Sequence, residues 1–166
     1  MSSSKIPSNI TFTTTFLHNT DLLVKELFAE ICKEYSKRFN LKVTRKKKRI
    51  AVTGVPGKEG DDFVGATFES DSSILITVYD PSLDQEDDLL TNHRYVNWKF
   101  IEALCHEFVH AMQTLTGRVP TPTDLKPIGD DPEELYFFDP FELEARALED
   151  YYAHRFGAKL REYSEG

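Results

Sequence analysis

Residues 98–117 read WKFIEALCHEFVHAMQTLTG. Phe100, Ile101, Leu104, Val109, Met112 and Leu115 recur at helical spacing, so the stretch predicts an amphipathic helix laid over a core. Thr91 or Asn97 can cap its start, and Gly117 supplies a stop with Pro120 close behind. At its centre, HEFVH sets His106 and His110 one turn apart on one face. Two histidines so placed can grip one metal ion from the same side. Glu107 stands beside them, where a carboxylate can take a proton from an attacking water. These polar groups border an apolar stripe and need partners, because an unpaired buried polar group costs about 1–3 kcal/mol.

A catalytic metal of this kind takes three protein ligands. The other histidines are His18, His93 and His154. Downstream of His110 the chain reads AMQTLTGR, which excludes the short-spaced third histidine of HExxHxxGxxH. His93 reads as a solvated loop residue without a role. The other common solution is a glutamate from a later helix. Asp139 and Pro140 open such a helix, running from about Phe141 to Phe156, with Phe141, Ala145, Leu148, Tyr152 and Phe156 on its apolar face. It offers Glu142, Glu144 and Glu149. Glu142 and Glu149 fall on one flank of that face and Glu144 on the other, so a helical wheel leaves the choice open.

Upstream, Ile10, Phe12, Thr14 and Phe16 alternate with threonines, which predicts a strand. Thr20 or Asp21 can cap a helix to about Phe39, with Leu22, Leu23, Leu27, Ile31 and Tyr35 on its apolar face and Asn40 as its stop. Leu41–Val55 alternates again and reads as a hairpin, with the RKKKR run (Arg45–Arg49) as a solvated tip. Phe63–Glu69 and Ile74–Tyr79 read as a second hairpin turning at Asp71-Ser72-Ser73, the latter strand apolar on both faces. Asp80–Asn92 reads as an acidic loop. Val119–Pro140 carries five prolines and an acidic cluster and reads as a long loop, a candidate lid.

The bulk numbers fit one soluble globular domain over residues 1–166, with 1–8 and 161–166 flexible: 40% of the residues are hydrophobic and 29% charged. No apolar run reaches membrane-spanning length and the N-terminus has no signal-peptide core, so the expected location is cytoplasmic, with no membrane partner. Cys32 and Cys105 lack CxxC spacing and read as buried reduced thiols. Residues 51–166 hold 9 Lys/Arg against 24 Asp/Glu. That acidic balance argues against nucleic acid as a partner, with RKKKR the sole feature in favour.

HEFVH together with ELEA (Glu142–Ala145) resembles the gluzincins, zinc metallopeptidases of the zincin superfamily with an HExxH helix and a downstream glutamate ligand. In several branches that ligand opens an ExxA pattern, which Glu142-Leu143-Glu144-Ala145 matches. The resemblance implies one zinc ion per chain held by His106, His110 and Glu142, with Glu144 as the alternative third ligand and Glu107 as general base. Those families often follow the alanine with Asp or Asn to support a ligand histidine. Arg146 stands there in this chain, and Glu149 or Asp139 can take that part. Tyr136, Tyr151, Tyr152, His154 and Arg146 are candidate oxyanion donors. The expected fold is α+β, a minimal zincin-like domain with an N-terminal helix, a mainly antiparallel sheet of four to five strands, the HExxH helix and a C-terminal glutamate helix. The expected activity is hydrolysis of a protein or peptide substrate by a monomer. The alternative is a catalytically silent, metal-stabilised binding or structural module on the same scaffold.

Overall fold

In a computed structural model, residues 5–16, 18–55, 65–70, 72–79, 93–121 and 127–157 are described. The elements run β1 (Ile10–Thr14), α1 (His18–Phe39), β2 (Lys48–Val55), β3 (Gly65–Glu69), β4 (Ser73–Tyr79), α2 (His93–Thr116), α3 (Pro132–Phe137) and α4 (Pro140–Tyr152), with a π-helical turn at Ala153–Gly157. The architecture is α+β, but the expected mainly antiparallel sheet is wrong. Four strands pair in the order β1-β2-β4-β3, with β1, β2 and β4 parallel and only β3 antiparallel. The 22-residue α1 accounts for the β1–β2 pair. At about 1.5 Å per residue it carries the chain the length of the sheet and returns it for a parallel neighbour, while β4 reaches its parallel place beside β2 by way of β3.

The expected hairpin over Leu41–Val55 also fails. Its first arm is not a strand. Asn9 Nδ2 donates to the carbonyls of Thr44 (2.7 Å) and Lys46 (2.8 Å), and the Thr44 N–H donates to Leu115 O (2.8 Å), so the segment is tied to the start of β1 and the end of α2. RKKKR is therefore no turn, since Lys48 and Arg49 already belong to β2. The pairing of β3 with β4 is antiparallel, as a hairpin requires. Asp71, Thr91 and the acidic stretch 80–92 lie outside the described residues.

One face of the sheet is buried under α1 and α2. Ile50, Val52, Ile74, Ile76 and Val78 point into it. The doubly apolar β4 is an inner strand of the sheet, and Leu75 on its other face is 42% exposed. Phe12 of β1 stacks on Phe28 of α1 at 4.9 Å, and Phe28 meets Phe108 of α2 at 5.1 Å. These aromatic contacts fix the HEFVH helix against the sheet. In α1, Thr20 and Asp21 lie inside the first turn rather than capping it, and Leu22 is exposed. Both long helices end on the residues expected. Asn40 (φ 52°) and Gly117 (φ 70°) adopt the left-handed conformation, and the following N–H groups return to Ser36 O (3.0 Å) and Gln113 O (3.1 Å). Helix α2 begins earlier than expected, placing Asn97 inside it and His93 at its first residue rather than in a loop.

The stretch read as a long loop contains α3, capped by Asp131 with Pro132 in its first turn. Asp139 and Pro140 start α4 in the same way, with Asp139 Oδ1 accepting the Phe141 N–H at 2.8 Å. Asp139 is thereby a helix cap and not a support for a ligand histidine. Among the described residues no helix is long and apolar enough to cross a membrane.

Candidate metal centre

Helix α4 packs on α2 through Ala145, which is fully buried. A side chain this small lets the two helices approach closely. Glu142, three residues earlier in the first turn of α4, then faces the histidines of α2. Its carboxylate oxygens lie 3.1 Å from His106 Nε2 and 2.7 Å from His110 Nε2. One ligand atom from each of His106, His110 and Glu142 falls within 4.8 Å of the others, so this group could hold a metal ion.

The opposite ring nitrogens are held too. His106 Nδ1 lies 3.4 Å from Glu149 Oε1, and His110 Nδ1 lies 2.8 Å from Gln113 Oε1. Acceptors on the Nδ1 side keep each Nε2 available as a ligand, the arrangement that orients histidines around a metal. The donor set of two imidazoles and one carboxylate suits such an ion. Glu149 takes the supporting part open at Arg146.

Glu144 does not join this cluster. It accepts from Tyr35 Oη, from Arg118 Nε (2.8 Å) and from Gln113 Nε2 (3.3 Å) on the far flank of α4. Tyr152 is likewise remote, buried with its hydroxyl donating to Glu34. Arg146 donates to Phe137 O and lies over the Phe137 ring at 4.2 Å, which pins α3 to α4. Tyr151 sits under Arg38, and His154 Nδ1 donates to Asp150 O (2.8 Å). Of the candidate donors, Tyr136 alone reaches the centre, since α3 sets its hydroxyl against Glu142.

Glu107 is 4% exposed, and Thr67 Oγ1 of β3 donates to its Oε2. Burial raises its pKa above the usual carboxylate range, against the opposing pull of Thr67 and the histidines. Burial also pushes the Tyr136 hydroxyl up to about 12, helped by the Glu142 and Glu107 charges. Glu142 is held well below the usual range: burial opposes ionisation, but the two histidines outweigh it. Burial alone would lower His106, yet its bonds to Glu142 and Glu149 raise it to about 10. His110 is raised in the same way by Glu142 and Gln113.

Protons and metal therefore compete for the same nitrogens. With the histidine pKa values raised by Glu142 and their other partners, metal binding should displace protons and tighten as pH rises from 6 to 8. The gain is about tenfold per pH unit for each proton displaced. Calorimetry in two buffers of different ionisation enthalpy counts those protons. A pH-independent affinity would remove the histidines as ligands.

Two contributors were not read from the sequence. Gln113 stands at i+3 from His110 within an otherwise apolar turn, a spacing that could have marked it. Thr67 had no local signal, because only the packing of β3 beside α2 brings it to Glu107. A cavity of about 730 Å³ opens at the centre, lined by residues that include Thr67, Glu107, His110, Tyr136, Phe141 and Glu142. Compared with family models, with curated proteins and with solved structures, the chain finds no match in any of the three.

Proposed function

We propose that the chain is a zinc-dependent metallopeptidase of gluzincin type, acting on a protein or peptide substrate. The observation that carries this reading is the convergence of His106, His110 and Glu142 beside a buried carboxylate, Glu107, in an open cavity. His106 Nε2, His110 Nε2 and the Glu142 carboxylate would hold the zinc. Bound there, zinc polarises the scissile carbonyl and lowers the pKa of a water to about 7.

The remaining steps belong to the chain. Thr67 anchors Oε2 of Glu107, and the other oxygen takes the proton of the attacking water. Burial makes this carboxylate a better base than a solvated one, and it returns the proton to the leaving amine. Tyr136 stays protonated at neutral pH and donates to the oxyanion as the carbonyl becomes tetrahedral. Strand β3 is an edge of the sheet and runs beside α2, so an extended substrate can add to it through main-chain hydrogen bonds. The buried, unpaired Cys32 and Cys105 suit a reducing compartment such as the cytoplasm.

The test is metal analysis of the purified protein together with cleavage of an unfolded protein substrate. About one zinc per chain and cleavage that a chelator stops and zinc restores are expected. Bound zinc with no cleavage of any unfolded substrate would favour a metal-stabilised binding module instead.

A further inference from the structure

The cavity extends past the metal ligands along α2. Thr67 and Glu69 both point from β3 towards that helix, as alternate residues of a strand do. Thr67 meets Glu107, and Glu69 accepts a hydrogen bond from Thr114 Oγ1. Thr114 lies about one turn beyond His110, about 6 Å along the axis. The Glu69 carboxylate thus lines the same cavity about one helical turn from the metal-ligand group.

Among the described residues, the acidic groups of this cavity are matched unevenly. Glu142 and Glu107 face the histidines. Arg118 also lines the cavity but is already paired: its Nε and Nη2 each lie 2.8 Å from Glu144 Oε2, and it stacks over Phe39 at 3.5 Å. Glu69 has the Thr114 hydroxyl but no cation within ion-pair distance among the described residues. The basic run Arg45–Arg49 belongs to β2 and its approach, and β4 separates β2 from β3. From the other side of the cavity, Val119, Tyr136 and Phe141 offer apolar surface.

We infer that this cavity selects a lysine or arginine side chain of the substrate next to the scissile bond, with Glu69 receiving its charge. Val119 and Phe141 take the methylene stem, and the carboxylate meets the cationic end. A leucine there would cover the Glu69 charge and give it no partner, which disfavours apolar occupants. The inference rests on the peptidase reading for the orientation of the substrate.

Binding is measured on the zinc-loaded Glu107→Gln protein, so that turnover is not needed. Fluorescent peptides of one sequence carry Lys, Arg, Leu or Glu at a single position, and each position is varied in turn. At one position Lys and Arg should bind about tenfold tighter than Leu. Adding Glu69→Gln, which keeps an acceptor for Thr114, should bring the ratio close to one. Adding Glu69→Lys should turn the preference towards Glu. Equal binding of all four peptides, or a ratio unchanged by Glu69→Gln, overturns the inference. A retained basic preference in a protein whose wild type cleaves none of the peptides would sink the peptidase reading and leave the pocket standing.

Discussion

Replacing Glu107 by glutamine should cut kcat/KM by about 10²–10⁴ while leaving zinc bound at one per chain. The substitution is nearly isosteric at a site that is 4% exposed, so it opens no cavity. The amide oxygen can still accept from Thr67, which preserves the contact between α2 and β3. What disappears is the basic oxygen. The residues that could hold the metal sit on either side at His106 and His110 and on α4 at Glu142, and none of them is altered. The carboxylate also costs stability, because burial raises its pKa above the unfolded value. Its charged form is disfavoured by folding once the pH exceeds that unfolded value, so the metal-free Glu107→Gln protein should melt no lower than wild type at neutral pH. Rate assays, metal analysis and a thermal melt on the same samples check all three statements. Undiminished cleavage would remove Glu107 as the base, and loss of zinc would show that its part is structural.

What could be read from the sequence divides along one line. Features decided within a few residues were legible. The HEFVH face, the stops at Asn40 and Gly117, and the Asp139-Pro140 start are local, and the structure has each of them. The second Asp-Pro pair, Asp131-Pro132, starts α3 by the same chemistry and was equally readable. Features decided by where distant segments meet were not legible. Leu41–Val43 alternates like a strand, but contacts from Asn9 and Leu115 hold the following residues away from the sheet. Strand direction was misjudged for the same reason, since alternation is identical in parallel and antiparallel neighbours. The sides of α4 illustrate both cases. Its capped start was plain, yet Glu142 and Glu144 could be told apart only once Tyr35 from α1 and Arg118 from beyond α2 were seen around Glu144.

That separation predicts different metal affinities for variants at two neighbouring glutamates. Glu142→Ala should reduce zinc affinity by more than the roughly 10–100-fold that loss of an outer hydrogen-bonding partner costs, because it removes a ligand. Its metal-free fold should weaken too, because Glu142 is buried and His106 and His110 lose the carboxylate between them, keeping only Glu149 and Gln113. Glu144→Ala should cost stability while sparing the metal. It strips the carboxylate from Arg118, Tyr35 and Gln113 at once, in a place where the Glu144 side chain is 9% exposed. Breaking a buried pair by removing one partner costs about 3–5 kcal/mol, and the lower end applies here because Arg118 keeps 24% of its side chain in solvent. Zinc should still bind Glu144→Ala, more weakly only to the extent that Gln113 loosens its hold on His110. Metal titration and chemical denaturation of both variants separate the two roles. Zinc lost from Glu144→Ala and retained by Glu142→Ala would move the third ligand to the other flank of α4. The cluster of His106, His110 and Glu142 would then be an ion-pair network without a metal.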